Sequence, residues 1–360
     1  MREGDVVACL GMSWWKQPRI AEFLRGEHGT PKFFRGVTAA VQHARREHGA
    51  IAVWASREPV QLAALAEAAG VPVLRVEDGF LRSVGLGADF TPAASIVVDR
   101  RGIYYDPTRE SDLEHVLNTA HFDETLLLRA CRLRGLIVAS RITKYNTGAA
   151  SVPIRAAAGQ TVILVPGQVE DDRSVQLGGA TVKTNRALLE QVRRRNPDAF
   201  IVYKPHPDVD AGHRNGVLLD AVARRFADQI VRDVSVATLL DACDEVHTIT
   251  SLAGFEALLR GRRVVAYGRP FYSGWGLTED LATHERPRRA LTLDALVAGT
   301  LILYPRYLDP LTSRACTPET LIDRLRSPEL WHASGWTRLR QLQGVLMRGW
   351  RARTASAGAL

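Results

Sequence analysis

Short apolar runs alternate with amphipathic stretches along this sequence, and the alternation predicts an α/β fold. Apolar runs at 5–10, 50–55 and 71–76 predict strands, and the stretch at 59–70 predicts a helix that stops at a glycine. The pattern restarts with a strand at 161–166, a helix at 183–197 and a strand at 199–204. Strand, helix and strand in succession predict parallel sheets, so two such groups indicate two Rossmann-type lobes.

Further elements fill the remaining chain. The stretch 95–108 predicts two short strands around a turn, 122–139 a helix, 245–250 a strand, and the residues after 290 a mainly helical region. A Gly, Ala, Ser and Pro-rich stretch at 140–160 is the best candidate linker. We therefore predict an N-terminal lobe at 1–155, a second lobe at 156–300, and C-terminal helices with a basic tail at 301–360.

Composition and charge narrow the class of protein. The 360 residues are 46% hydrophobic and 24% charged, which is ordinary for a globular protein, and no apolar run approaches the roughly 20 residues that span a bilayer. The first residues lack the apolar core of a signal peptide, so we expect a cytoplasmic protein. A net charge of +8 favours an anionic partner. The four cysteines are far apart, which predicts buried thiols and neither a zinc site nor disulfides.

The strand at 161–166 runs directly into a polar loop that carries Gln168, Glu170, Asp171 and Asp172. In an open parallel sheet the ligand crevice lies beyond the carboxyl ends of the strands, so these side chains are candidates for a site. A solvated acidic turn is the alternative. No GxGxxG motif follows the first strand, so the sequence gives no support for a dinucleotide site.

Two more strands end in polar residues. Glu77 and Asp78 follow the strand at 71–76, and either acid could face a substrate, cap a helix or pair with Arg82. Lys204 ends the strand at 199–204, and prolines on both sides of His206 restrict where its imidazole can point. The Asp-Val-Asp sequence at 208–210 has the spacing of metal-dependent sugar transferases, but we expect no metal site.

A helix start after the strand at 245–250 suits a phosphate. Ser251 can cap this helix, its free N–H groups attract anions, and Glu256 one turn later could reach a ribose or base. Gly254 leaves space where a ligand could approach. Tyr272 and Trp275 follow the next strand, where they could form a pocket wall or fill a hinge. The tail at 337–360 places apolar residues at helical spacing beside arginines, so it could lie on an anionic membrane or pack on the body.

These segments together resemble the KpsC/LipA-type capsule polysaccharide proteins, the retaining β-Kdo transferases that build the lipid-linked Kdo primer of bacterial capsules. The resemblance rests on motifs that match in order over about residues 50–280. They are EDGFLRSVGLG, VVDRRGIYYDPT, KYN, VPGQVEDDRSVQLGG, VYKPHPDV and TSLAGFEALLRGRRVVAYGRPFYSGWGLTED. The resemblance implies a GT-B-like arrangement with the site between the lobes, CMP-Kdo as donor, no cofactor and no metal requirement.

The resemblance also implies roles for individual residues. Asp172 matches the family's catalytic aspartate, to which we assign attack on the anomeric carbon, and Glu77 or Asp78 would serve as acid/base toward the acceptor hydroxyl. The remaining candidates fall on the CMP-phosphate and nucleoside side, namely Lys204, His206, Ser251, Glu256 and Gln168. His206 is also a candidate catalytic residue, because it can stabilise the phosphate leaving group. The chemistry of the residues agrees, since retention by double displacement needs two carboxyl groups about 5 Å apart in glycosidases of that class.

The implied partners are a phosphatidylglycerol-type Kdo glycolipid, the inner face of the inner membrane and other capsule assembly proteins, without nucleic acid. Many family members carry two such modules, whereas this sequence holds one, so we expect one type of linkage or cooperation with a second protein. Two alternatives stay open. One is a non-catalytic capsule assembly or export module that binds an anionic glycolipid. The other is a GT-B-like nucleotide-sugar epimerase or hydrolase, which would turn over the donor without an acceptor.

Overall fold

The computed structural model describes residues 5–27, 29–83, 91–144, 153–212, 214–286 and 288–327. The predicted tail at 337–360, and Tyr145 and Asn146 of the KYN motif, lie outside the described residues. Within these ranges, no helix combines the length and the apolar character needed to cross a bilayer. Of the four cysteines, Cys9 and Cys243 are buried as predicted, whereas Cys131 and Cys316 are only partly buried, and all four are free thiols.

The first half of the chain builds one sheet and its helices. The strands are β1 (Val6–Leu10), β2 (Lys32–Phe34), β3 (Ala50–Trp54), β4 (Val73–Asp78) and β5 (Ser95–Asp99). The helices are α1 (Gln17–Phe23), α2 (Val37–Arg46), α3 (Leu62–Ala68), α4 (Asp112–Thr119) and α5 (Glu124–Ala139), with a 3-10 turn at Ala55–Arg57. β1 and β3 are buried along their whole length, as the continuous apolar runs predict for central strands.

The second half builds a second sheet. Its strands are β6 (Val162–Pro166), β7 (Phe200–Lys204), β8 (Gln229–Ile230), β9 (Glu245–Thr248), β10 (Arg263–Ala266) and β11 (Glu279–Asp280). Its helices are α6 (Arg173–Gly178), α7 (Asn185–Arg195), α8 (Pro207–Asp210), α9 (Asp220–Ala223), α10 (Val236–Ala242) and α11 (Leu252–Leu259). α12 (Leu293–Val297), a π-helical stretch (Ala298–Leu303), strand β12 (Pro305–Tyr307) and α13 (Pro318–Leu325) complete the described chain.

The strand orders identify both halves as doubly wound. The first sheet runs β2-β1-β3-β4-β5-β12 and the second runs β8-β7-β6-β9-β10-β11. All pairs in the second sheet are parallel, and its order is that of a Rossmann fold. The order reverses between β1 and β3 in the first sheet and between β6 and β9 in the second. Such reversal points open a crevice at the carboxyl ends of the strands, where ligands bind. The predicted GT-B-like α/β fold is confirmed in its two sheets.

One hydrophobic cluster continues from the first half into the second. It joins Phe80, Leu113 and Leu117 to Phe255 and Phe271. The Phe80 ring lies 4.8 Å from that of Phe271, centroid to centroid. The two halves therefore share one hydrophobic core.

The structure corrects two expectations about strands. The predicted hairpin at 95–108 is wrong, because only β5 forms. After it the chain turns away, with Asp99 Oδ1 accepting the N–H groups of Arg101 and Gly102 at 3.0 and 2.7 Å. The strand beside β5 is β12, which pairs with it antiparallel, although helices were expected after residue 300. β12 thus returns the chain to the first sheet after the second sheet is complete. The lobe boundaries at 155 and 300 stay predictions.

A buried ion cluster also joins the halves. Glu114 of α4 accepts from Arg286 Nε at 2.7 Å and from Arg288 Nη2 at 3.2 Å. The side chains of Glu114 and Arg288 are 7% and 6% exposed. The Arg288 guanidinium also lies 4.8 Å from the ring centroid of Trp275. A carboxylate from one lobe therefore compensates two cations from the other.

We expect Glu114→Gln to lower the free energy of unfolding by about 3 kcal/mol, since removing one partner leaves a buried guanidinium uncompensated. The matched control is Glu110→Gln, which removes a 40%-exposed carboxylate that pairs with Arg101 at 3.2 Å. Exposed pairs contribute less than about 1 kcal/mol, so this control should stay near wild type in urea unfolding. Equal effects of the two substitutions would contradict the role of the cluster.

Candidate active site

A cleft of about 1090 Å³ connects the carboxyl edges of the two sheets. Loops after β1, β3 and β5 and the last residues of β4 line it from the first sheet, and loops after β6, β7 and β9 line it from the second. All the predicted site residues contribute to its lining, namely Glu77, Asp78, Gln168, Asp172, Lys204, His206, Ser251 and Glu256. The sequence expectation that these segments converge is met in their placement, while their roles stay predictions.

Asp78 is held by two cations. Arg82 Nε lies 3.0 Å and Lys16 Nζ 3.3 Å from its Oδ2. Arg82 is fully buried, and the Lys16 ammonium lies 3.4 Å from the ring centroid of Trp54. Burial opposes ionisation of Asp78, but the two cations outweigh it and hold the pKa well below its usual range. Asp78 is therefore a fixed carboxylate.

Glu77 has a different environment although it is the adjacent residue. Its Oε1 accepts the backbone N–H of Asp78 at 3.1 Å. Burial raises the pKa of Glu77 to about 7, against the opposing effect of Lys16 and with a smaller contribution from the negative charge of Asp78. Glu77 can therefore gain or lose a proton near neutral pH, which the paired Asp78 cannot.

Asp172 is the N-cap of α6. Its Oδ1 accepts from the N–H and hydroxyl of Ser174 at 2.9 and 2.7 Å. Its Oδ2 lies 3.9 Å from Arg214 and accepts no hydrogen bond from the described residues. The side chain is 46% exposed. One oxygen thus fixes the carboxylate, while the other stays accessible in the cleft.

Lys204 and His206 place positive charge and a donor on the second lobe. Lys204 ends β7, is 9% exposed and pairs with no carboxylate in the described part of the chain. Burial lowers its pKa. Nδ1 of His206 accepts the N–H of Asp208 at 3.2 Å, and burial lowers the pKa of His206. The neutral ring therefore carries its proton on Nε2, which can donate.

Ser251 caps α11 as predicted, accepting the N–H of Ala253 at 3.2 Å. The space expected at Gly254 is occupied, because a Cβ there would lie 2.2 Å from the hydroxyl oxygen of Tyr272. Tyr272 and Trp275 are fully buried in the hydrophobic core and do not line the cleft, so the pocket-wall alternative is wrong. Pro270 and Phe271 line the cleft there.

Gln168 and Glu256, which are predicted to contact a ligand, already accept hydrogen bonds from protein groups. Gln168 Oε1 accepts from Thr248 and from the N–H groups of residues 249 and 250, at 3.0 to 3.1 Å. Glu256 Oε1 accepts the N–H of Lys144 at 2.8 Å, and burial raises the pKa of Glu256 to about 7. Both side chains thus hold backbone around the cleft. Their contact with a ligand stays a prediction.

The two acids of the Asp-Val-Asp sequence differ in their contacts. The carboxylate of Asp210 pairs with Arg232 at 2.9 Å, whereas Asp208 binds His206 only through its backbone N–H, and its buried Oδ1 accepts no hydrogen bond from the described residues. In the parts of the chain that the structure describes, no group of three or more His, Cys, Asp or Glu residues is arranged to hold a metal ion.

Sequence reasoning did not single out several lining residues. Lys16 and Arg57 follow β1 and β3, and Tyr104 and Tyr105 line the cleft from the stretch after β5. The signal was available for the first two, since both lie just past apolar runs that predict central strands. The tyrosines belong to the stretch at 95–108, whose pattern predicts a hairpin and indicates no site.

Comparisons with known proteins agree with this geometry. The sequence profile of the family described as capsule polysaccharide biosynthesis protein matches residues 49–132 and 130–307. The chain is 43% identical over 312 residues to the capsule polysaccharide modification protein LipA of Neisseria meningitidis serogroup A, covering 87% of this chain and 44% of LipA. It is 44% identical to the lipopolysaccharide-processing protein LpsZ of Rhizobium meliloti, over 66% of this chain and 54% of LpsZ. The chain thus spans about half the length of these curated relatives.

Two solved structures are similar over nearly their whole length. The β-Kdo 2,4 transferase of Thermosulfurimonas dismutans KpsC superposes with a TM-score of 0.77 at 32% identity, covering 89% of this chain and 98% of that one. The β-Kdo 2,7 transferase of the same protein gives 0.73 at 34% identity, covering 90% and 99%. With the family profile matched across 49–307, the chain belongs to the KpsC/LipA-type capsule polysaccharide biosynthesis family.

Proposed function

We propose that this chain is a retaining β-Kdo glycosyltransferase that uses CMP-Kdo to extend a lipid-linked Kdo primer in capsular polysaccharide biosynthesis. The observation that carries the proposal is the cleft that joins the reversal points of both sheets, with Glu77 from one lobe and Asp172 from the other. The similarity to two Kdo transferase structures supports the choice of sugar.

The second lobe has the chemistry to hold the donor phosphate. Lys204 is a nearly buried cation without a carboxylate partner in the described residues, and Nε2 of His206 is a neutral donor. The start of α11 at Ser251 adds backbone N–H groups and a partial positive charge. These groups can stabilise a departing CMP phosphate, so we propose that transfer needs no metal. EDTA should then leave the rate unchanged.

In the first step, Oδ2 of Asp172 attacks the anomeric carbon of Kdo. The bond from that carbon to the phosphate oxygen breaks, CMP leaves with the electron pair, and a glycosyl ester to Asp172 forms. In the second step the acceptor hydroxyl attacks the same carbon, Glu77 takes its proton, and the Asp172 carboxylate leaves. Two inversions at one carbon give retention. Of the two candidate acids, Glu77 suits this role because its pKa lies near neutrality.

The proposal is tested by incubating the protein with CMP-Kdo and a Kdo-terminated glycolipid, while CMP release and product anomeric configuration are followed. We expect acceptor-dependent CMP release and a β-linked product. CMP release at the same steady rate without acceptor would favour a hydrolase or epimerase. An α-linked product would contradict retention.

Lys204→Gln is expected to raise the KM for CMP-Kdo by about tenfold or more, because a charge-assisted hydrogen bond to phosphate is lost. Steady-state kinetics at saturating acceptor measure this. Lys183→Gln is the matched control, since Lys183 is exposed on the same lobe and does not line the cleft. An unchanged KM in Lys204→Gln would remove Lys204 from the donor site.

We further propose that the protein acts in the cytoplasm, peripherally on the inner face of the inner membrane, because the proposed acceptor is lipid-linked. The net charge of +8 supports attraction to an anionic lipid surface. Co-sedimentation with phosphatidylglycerol vesicles should decline as salt concentration rises.

A further inference from the structure

We propose that Arg57 binds the carboxylate of an acidic acceptor sugar, which makes the first lobe selective for an anionic acceptor terminus. This inference rests on the proposed function, and it adds a binding residue that the donor-side chemistry does not require. Three features of the first lobe support it, namely the position, the anchored side chain and the unpaired charge of Arg57.

Arg57 lies at the reversal point of the first sheet. It ends the 3-10 turn after β3, and Lys16 follows β1, so the two residues flank the point between β1 and β3 where the strand order reverses. Both line the cleft, together with Glu77 at the end of β4. In open α/β sheets this point is where ligands bind. The donor-side residues belong to the corresponding point of the other sheet, so a second ligand is expected here.

The Arg57 side chain is exposed to solvent, and one hydrogen bond anchors it to the neighbouring loop. Its Nη1 donates to the hydroxyl of Ser13 at 2.9 Å, from the loop after β1. Gly11 in that loop has a φ of +71°, and a Cβ on it would lie 3.1 Å from Cβ of Arg57. The loop therefore packs closely on the turn that carries Arg57. A guanidinium anchored in this way loses less entropy on binding a carboxylate.

The charge of Arg57 has no compensating acid. The adjacent Glu58 is occupied by Arg75, with contacts of 2.7 Å to each of its oxygens. Asp78 is occupied by Lys16 and Arg82. Among the described residues, Arg57 makes no ion pair. Lys16 is thus committed to Asp78, whereas Arg57 on the neighbouring strand-end loop is available to an anion.

A guanidinium presents two parallel N–H groups that match a carboxylate. A neutral sugar offers no such group, so Arg57 would favour an acidic terminus over a neutral one. The expected discrimination is about 10- to 100-fold in affinity, the range of charge-assisted hydrogen bonds.

Equilibrium binding tests this without relying on turnover. A short soluble glycoside ending in Kdo and its carboxyl methyl ester are titrated into the full chain by calorimetry, without donor. We expect the wild type to bind the acid at least about tenfold more tightly than the ester, and Arg57→Ala to bind the two alike. Arg57→Lys should recover part of the preference, because it keeps the charge and loses the paired geometry.

Arg45→Ala is the matched control, since Arg45 is exposed near the end of α2 and does not line the cleft. It should keep the wild-type preference. A preference that survives in Arg57→Ala overturns the proposal, and so does a wild type that binds the acid no better than the ester. Failure of the proposed transferase function is a separate result, seen as absent CMP release from CMP-Kdo while the Arg57-dependent preference persists.

Discussion

Asp172→Asn is expected to abolish sugar transfer while CMP binding persists. An amide oxygen is a poor nucleophile toward the anomeric carbon, so the glycosyl ester should not form, and replacement of a nucleophile typically costs about 10⁴-fold or more in kcat. The fold should tolerate the change. Asn is as good an N-cap as Asp, and its oxygen can still accept from the N–H of Ser174. CMP release from CMP-Kdo and CMP affinity by calorimetry are the two measurements.

Asp171→Asn is the matched control on the same loop. Asp171 is 43% exposed and binds Asn215 at 3.0 Å and Arg214 at 3.4 Å, so both its oxygens already have partners. This variant should retain most of the transfer activity. A large loss in Asp171→Asn with normal transfer in Asp172→Asn would exchange the two roles. Binding without CMP release by the wild type as well would favour a non-catalytic capsule assembly module.

The central strands and the loops that follow them could be predicted from sequence because they depend on local patterns. β6 is an apolar run that is buried throughout, and β7 is apolar up to its final Lys204 and buried except at Phe200. A parallel sheet brings the carboxyl ends of such strands to one edge. The sequence pattern alone therefore predicts that Asp172, Lys204 and Ser251 lie in one region.

Features that depend on distant partners could not be predicted. β12 pairs with β5 across about two hundred residues, and nothing within its three residues indicates that pairing. The hydrogen bonds of Gln168 to the end of β9 and of Glu256 to Lys144 consume polar groups that sequence could only describe as available. The packing of Tyr272 against Gly254 could not be predicted for the same reason, because it is a tertiary contact.

The choice between Glu77 and Asp78 shows this limit most clearly. Adjacent acids at the end of a strand are equivalent in a sequence pattern. Lys16 and Arg82 reach only Asp78 within ion-pair distance among the described residues, and they arrive from different parts of the chain. The electrostatic difference between the two acids therefore comes from tertiary contacts.

In the proposed mechanism, that difference gives transfer a pH dependence. Glu77, as the proposed base toward the acceptor hydroxyl, must be ionised, and burial raises its pKa to about 7. Below that pH the protonated form predominates, so kcat/KM for the acceptor should fall about tenfold per pH unit on the acid side and level off above it. Glu77→Gln should lower transfer by about 10²- to 10⁴-fold and remove this dependence. Rapid-quench measurements should still show about one equivalent of CMP released per enzyme from CMP-Kdo, because the first step does not use Glu77.

A second buried acid titrates in the same range, so the pH profile needs a control. Burial also raises the pKa of Glu256 to about 7, and this carboxylate accepts the N–H of Lys144. In Glu256→Gln the amide oxygen can still accept that N–H. The fall of kcat/KM on the acid side, called here the acid limb, should therefore persist if Glu77 causes it. Loss of the limb in Glu256→Gln, with its retention in Glu77→Gln, would assign the titration to Glu256. If Glu77→Gln loses the fall of kcat/KM at low pH but still releases one equivalent of CMP, Glu77 acts only on the acceptor. Loss of that CMP release as well would indicate a residue needed for donor binding.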